Sequence, residues 1–297
     1  MKMVKRALAA GAALMVLASG PALAGWSDVN LRHGVTELSR EIYGLHMLIL
    51  WVCVVIAVAV FGVMIYSIAT FRKSKGAVPA TFEHNTKAEI IWTVIPVIIL
   101  VAMAIPSART LVQIDDTRNS ELTIKVTGYQ WKWQYEYVDQ GVTFFSTLAT
   151  ASNEARQLDS GVDVNKVDNY LLDVDNPLVV PVGKKVRVLV TAADVIHSWW
   201  VPDFAIKKDA IPGYINELWF TAEKVGTYRG QCVELCGRDH GFMPIVVVVK
   251  PQAEYDAWLA AQKSARQAAA PAAAQAAQLA TPAALQTETT LRVANAE

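Results

Sequence analysis

The sequence predicts two membrane-spanning helices followed by an all-β domain, a sandwich or a barrel. Three observations predict it. Residues 42–71 and 90–114 are long apolar stretches, uncharged over 47–70 and over 90–108. From residue 122 to residue 250 the pattern changes to short runs rich in Val, Ile, Thr and aromatics, separated by turn signals and with no helical stretch between them. The whole chain is 53% hydrophobic, above the usual share for a soluble protein.

In chain order, residues 1–24 read as a secretory signal. Lys2, Lys5 and Arg6 make a charged start, a short apolar core follows, and Ala22 and Ala24 frame a small-residue cleavage site. The other reading, an uncleaved first membrane helix, would need about 20 apolar residues. Residues 25–41 form a short segment before the first span, 42–71. Arg72, Lys73, Lys75 and Lys87 then mark the loop 72–89 as cytoplasmic, which puts the mature N-terminus and everything after the second span, 90–114, in the periplasm. Pro96 inside that span points to packing against another protein, which can re-satisfy the freed backbone groups.

The β-domain is placed at 119–251, with strands expected at 122–128, 130–137, 171–174, 185–191, 196–201, 216–221, 227–231 and 245–250. The polar stretch 144–169 reads as a long surface loop. A helix is expected at 252–267, and the Ala, Pro and Gln of 268–297 read as a disordered tail.

Charge and cysteine usage narrow the function. The 27 basic and 27 acidic residues cancel, which argues against nucleic acid as a partner. Of three cysteines, Cys53 lies in the first span, leaving Cys232 and Cys236 as a close pair. Of five histidines, only His197 and His240 fall in the β-domain. Cys232, Cys236, His240 and Met243 lie within twelve residues. Thiolates, imidazole and thioether are soft donors that suit copper rather than magnesium or calcium. One Cys, two His and an axial Met would describe a single blue copper, but a second thiolate can bridge two coppers, each needing its own imidazole. His240 supplies one and His197 is the best candidate for the other. A Cys232–Cys236 disulfide and a structural zinc site remain open on these residues alone.

The run from Gly230 through Cys232, Glu234, Cys236, His240 and Met243 to Ile245 resembles the binuclear copper (CuA) loop of cytochrome c oxidase subunit II. The stretches Asp194 to Trp199, Lys208 to Gly213, Gln130 to Tyr137 and Glu89 to Pro96 resemble the same family. The resemblance covers residues 42 to 258. It implies a two-helix transmembrane hairpin carrying an all-β Greek-key cupredoxin barrel in a bacterial inner membrane. It implies that Cys232 and Cys236 bridge two coppers, that His197 and Met243 complete one metal, and that His240 and the Glu234 carbonyl complete the other. The Glu234 side chain would reach a magnesium ion shared with subunit I. Trp131 would receive the electron from cytochrome c, and Glu136, Asp175 and Asp194 match acidic positions that dock it. Ala193 stands where other members carry a further acid. Glu89 would open a proton path into subunit I, although an acid at a helix start is also favoured by the helix dipole. Subunit III is a further expected partner. The chain has no Cys-x-x-Cys-His motif for attaching haem, so its cytochrome donor is expected to be a separate protein. Catalysis of oxygen reduction is expected in subunit I, because this chain's histidines cannot assemble that site.

A quinol-oxidase subunit would share the architecture but lack the copper ligands. A nitrous-oxide-reductase-like domain would share the loop but not the two spans.

Overall fold

The computed structural model describes residues 30–279. The signal reading at 1–24 and the end of the chain beyond residue 279 lie outside them. The chain divides into two compact units. One comprises residues up to Gly34 and Arg40–Met103, and the other comprises Val35–Ser39 and everything from Ala104 onward.

The first unit is built on two apolar helices, α1 (Glu37–Thr70) and α2 (Thr86–Ile114). At 1.5 Å per residue, their 34 and 29 residues make about 50 Å and 43 Å of helix, more than the roughly 30 Å hydrocarbon core of a bilayer. Both are long and apolar enough to cross a membrane. Each starts ahead of its apolar stretch, because polar residues supply the first turn. Asn85 caps α2, with its Oδ1 accepting from the Ala88 amide at 3.1 Å, while Glu89 Oε1 accepts from the Asn85 amide at 3.2 Å. An apolar groove of about 840 Å³ runs between the helices, lined by Ile56, Val60, Ile95 and Leu100 among others.

The second unit is all-β through its core. Its strands are β1 (Leu122–Tyr129), β2 (Lys132–Tyr137), β3 (Val142–Ser146), β4 (Leu178–Pro181), β5 (Lys185–Ala192), β6 (His197–Val201), β7 (Ile206–Ala210), β8 (Asn216–Thr221), β9 (Gly226–Cys232) and β10 (Pro244–Lys250). They form two five-stranded sheets, ordered β3-β2-β1-β5-β8 and β4-β10-β9-β6-β7. β1 with β5 and β10 with β4 are parallel, and the other pairings are antiparallel. This is the expected cupredoxin-like β fold. Strict alternation explains it. On β2, Trp133, Tyr135 and Tyr137 point inward and are fully buried, while Lys132, Gln134 and Glu136 face out. β5 alternates the same way, burying Val186, Val188, Val190 and Ala192. Each large apolar side chain so buried contributes about 1.5–3 kcal/mol.

Four details depart from the sequence expectations. Residues 171–174 form no strand, since Asn169 and Leu171 adopt positive φ and turn the chain; only Val174 makes a bridge, to Leu148. β3, β4 and β7 are strands the pattern did not reveal. The stretch 144–169 is not a bare loop, for it contains the end of β3, a short helix α3 (Thr150–Ala155) and a three-residue turn at Val164–Lys166. The terminal helix α4 spans Gln252–Leu279 and so runs into the segment read as disordered tail, where alanine is the strongest helix former.

Candidate metal centre

Two elements bring the predicted ligands together. β6 opens with His197, and β9 ends on Cys232, paired across the strands with Trp199. The loop 233–243 then returns to β10, presenting Cys236, His240 and Met243 on the way. His197 is fully buried, and Cys232, Cys236 and Met243 are 5%, 3% and 1% exposed.

The donor atoms converge. Cys232 Sγ lies 3.8 Å from Cys236 Sγ and 3.9 Å from His197 Nδ1. Cys236 Sγ lies 3.4 Å from His240 Nδ1 and 3.6 Å from Met243 Sδ, and the Glu234 carbonyl is 3.4 Å from Cys232 Sγ. Both cysteines are free, so the disulfide reading does not describe this structure. Among the described residues, His197, Cys232 and Cys236 form the one group of at least three His, Cys, Asp or Glu side chains close enough to hold a metal ion, their ligand atoms all within 4.8 Å. Two sulfurs, two imidazoles, a thioether and a carbonyl oxygen within one cluster fit copper.

In the metal-free chain the donors perturb one another strongly. Burial alone would depress the His197 pKa, but hydrogen bonds to Cys232 and Asp194 outweigh it and hold it above the ordinary value. Burial likewise works against ionising Cys232, yet His197 and nearby backbone groups hold that thiol below its usual range. Burial and the neighbouring Cys232 push Cys236 up to about 12.

The surroundings are fitted to the ligands. Gly128 on β1 leaves room for the His197 ring: a Cβ there would sit 2.7 Å from His197 Cδ2. Gly237, at φ +123°, has a conformation that L side chains rarely adopt, and a Cβ there would sit 3.1 Å from Gln130 and Trp131. Trp133 packs edge-on to His197 at 5.8 Å and its Nε1 donates to the Met243 carbonyl at 3.1 Å. Trp131, unlike Trp133, is only partly buried, and its Nε1 donates to the Cys236 carbonyl at 3.3 Å. Gln130 Nε2 donates to the same carbonyl at 2.9 Å.

The three acids expected to dock a partner are each engaged within the domain. Asp194 accepts from the amides of Gln130 and Val195, both at 2.7 Å, and lies 2.9 Å from His197 Nε2. Asp175 accepts from Thr147 N and Oγ1 at 2.7 and 2.9 Å. Glu136 pairs with Lys125 at 3.6 Å and keeps 42% of its side chain exposed. Glu234 presents its side chain to solvent, and Glu89 stands in the first turn of α2, in the other unit. Gln130, Gly128 and Gly237 are neighbours of the site that residue-type reasoning missed. Gly128 alone left a signal, an isolated glycine inside a strand pattern, which marks a close approach.

Comparison with known proteins agrees. The family model for the periplasmic domain of cytochrome C oxidase subunit II matches residues 122–250, and that for its transmembrane domain matches residues 24–110. A probable cytochrome c oxidase subunit 2 of Rickettsia bellii (strain RML369-C) is 42% identical over 228 residues, covering 76% of this chain and 81% of the relative. The cytochrome c oxidase subunit 2 of Cereibacter sphaeroides is 40% identical over 232 residues, covering 75% and 77%. Among solved structures, the periplasmic domain of subunit II of cytochrome oxidase of Bradyrhizobium japonicum is 44% identical, covers 50% of this chain and 97% of that one, and superposes with a TM-score of 0.44. With two apolar helices, a β-domain and a His/Cys/Cys group in place, this chain belongs to the cytochrome c oxidase subunit II family.

Proposed function

We propose that this chain is the electron-accepting subunit of a proton-pumping oxidase in a bacterial inner membrane, with its β-domain in the periplasm. The observation that carries the reading is the convergence of six donor groups from β6, β9 and one loop. Cys232 and Cys236 would hold two coppers between them, His197 and Met243 completing one and His240 and the Glu234 carbonyl the other. When bound, such a copper pair supplies a one-electron relay. The protein's part is to fix the ligands beforehand, so that little has to move when charge arrives. Burial of His197 and Met243 and the packing of Trp133 against them supply that rigidity on the core side.

Cytochrome c is the proposed donor, with Trp131 as the point where the electron enters, because its indole is bonded to the Cys236 carbonyl and remains partly exposed. Glu136, Asp175 and Asp194 would be the acids that attract a basic cytochrome; Asp175 and Asp194 are exposed although hydrogen-bonded within the domain, and Glu136 is half-buried beside Lys125. The electron would pass to subunit I, where oxygen is reduced to water. The exposed Glu234 side chain would reach a magnesium ion shared with subunit I. Glu89, besides supporting the start of α2, would mark the cytoplasmic mouth of a proton path, and subunit III would complete the assembly.

The test is the copper count and electron-spin spectrum of the full chain purified in detergent. Two coppers sharing one unpaired electron are expected, and Cys236→Ser should abolish that spectrum. A parent protein that binds a single copper, or none, under reducing then copper-replete conditions would reject the proposal.

A further inference from the structure

The segment between β3 and β4 closes on itself. At its neck the Asp175 carboxylate accepts twice from Thr147, the Asp175 amide donates to the Thr147 carbonyl at 3.1 Å, and Leu148 bridges Val174. Inside, Ser152 is 1% exposed and its Oγ accepts from the Leu171 amide at 3.1 Å. The segment is therefore a strap tied at its neck.

What the strap delivers is Arg156, immediately after α3. Arg156 Nε donates to Asn153 Oδ1 at 2.8 Å, which fixes the guanidinium plane. Its Cζ lies over the Phe242 ring, 4.2 Å from the centroid, and Nη1 is 3.7 Å from Asp239 Oδ1. Asp239 is the neighbour of His240, and Phe242 is the neighbour of Met243. The Arg156 and Asp239 side chains are 22% and 18% exposed, so water screens the pair only in part. The same loop is held at its ends by Trp133 Nε1 on the Met243 carbonyl and by Gln130 and Trp131 on the Cys236 carbonyl. Between them Asp239 also lies 3.6 Å from Arg238 Nε, and two short turn bonds run from His240 N to Gly237 O at 3.2 Å and from Phe242 N to Asp239 O at 2.9 Å. A cavity of about 180 Å³ remains between the strap, Trp131 and this loop.

From this geometry we infer that Arg156 is a positioning residue for the metal centre: through one ion pair and one cation–π contact it sets the loop that carries His240 and Met243. The inference rests on reading the cluster as a copper centre. It asks for a planar cation in particular. Lysine could keep the charge pair with Asp239 but would not place a planar guanidinium over Phe242.

The experiment uses the full chain in detergent, metal-free and copper-loaded, as parent, Arg156→Gln, Arg156→Lys, Asp239→Asn and the Arg156→Gln/Asp239→Asn double variant. Three quantities are read: melting of the metal-free chain, the rate of copper loss to a strong chelator, and the electron-spin and visible spectra. Partners outside the ligand shell change metal affinity by about 10–100-fold when removed. Arg156→Gln is expected to melt like the parent without metal, to release copper about tenfold faster and to alter the copper spectrum. Arg156→Lys should recover part of both. The double variant should be no worse than the worse single, because the two side chains act as one contact. Parent-like release and spectra in a folded Arg156→Gln protein would overturn the inference. So would faster release matched by an equal loss of metal-free stability, which would make Arg156 a fold residue only. A parent that binds no copper would instead overturn the metal-centre reading itself.

Discussion

The donor cluster has a core side and a solvent side, and different forces hold them. On the core side His197, Met243 and Trp133 are buried, and their positions follow from steric fit: Gly128 beneath the imidazole, Trp133 against its edge. On the solvent side the contacts are polar: Gln130 and Trp131 on the Cys236 carbonyl and Arg156 on Asp239 come from distant segments, and Asp194 on His197 comes from three residues away. Packing fixes where the donors are, while the polar side fixes how the cluster is approached. The comparison implies that core-side changes should cost metal and stability together, whereas solvent-side changes should separate the two.

Trp131→Phe tests that separation most severely. Trp131 ligates nothing and sits on the solvent side, so the variant should keep its coppers and its melting temperature. Copper reduction by cytochrome c in the assembled oxidase, followed by stopped flow, should nevertheless slow by orders of magnitude. Unchanged reduction in a folded enzyme would move the electron path elsewhere.

Gly128→Ala is the core-side counterpart. The added methyl meets the His197 ring, and overpacking of this kind costs about 1–3 kcal/mol. Denaturant unfolding of the metal-free chain should show that loss, and copper content should fall with it. A stable variant with full copper would mean that β1 can yield.

Asp194→Asn discriminates further. If the carboxylate positions His197, copper affinity should fall about tenfold, while the salt dependence of turnover with a basic cytochrome c stays that of the parent. A flatter salt slope with unchanged affinity would restore Asp194 as a docking charge.

The smallest effect lies away from the cluster, on β8. Arg187 binds Glu217 through two nitrogens, at 2.9 and 2.5 Å, and holds its carboxyl below the usual range, with burial opposing and Thr117 assisting. A depressed folded value means stability that is present above the unfolded value, about 4.3, and lost as pH falls through the folded one. Both side chains are 37% exposed, so solvent screening limits the pair to under about 1 kcal/mol. Melts of Glu217→Gln should lie slightly below the parent at pH 7 and meet it in acid; a constant offset would assign the loss to packing.

The same division explains what could be read from the residues. Trp133, Tyr135 and Tyr137, with the valines of β5, announce their strands by alternation; Cys232, Cys236, His197, His240 and Met243 announce themselves by residue type and spacing, while the Glu234 carbonyl follows only from the family resemblance. β3 and β7 are edge strands with little alternation, β7 carrying Lys207, Lys208 and Asp209, and β4 is four residues long. Gln130, Trp131 and Arg156 were silent as partners of the loop because each depends on a contact across the fold. Gln130 meets a carbonyl 106 positions away, and Arg156 meets Asp239 from a segment tied at its neck by Asp175. Asp175 and Asp194 were legible as acids but not as acids already engaged.

Val35–Ser39 belongs to the β unit although it precedes the first span. Val35 donates to the Asp203 carbonyl at 2.8 Å and accepts from the Glu223 amide at 3.0 Å; Thr36 Oγ1 donates to the Phe204 carbonyl, and Leu38 is 1% exposed. The β-domain is thus discontinuous in sequence, completed by a short length of chain made before either helix. A fragment cut at residue 119 would lack that piece, uncovering two backbone carbonyls, one amide and the apolar surface under Leu38. Adding residues 35–39 back as a separate peptide, or joined through a short linker in place of the helices, should raise such a fragment's melting temperature. The β unit therefore draws its residues from both sides of the first helix's apolar stretch in sequence.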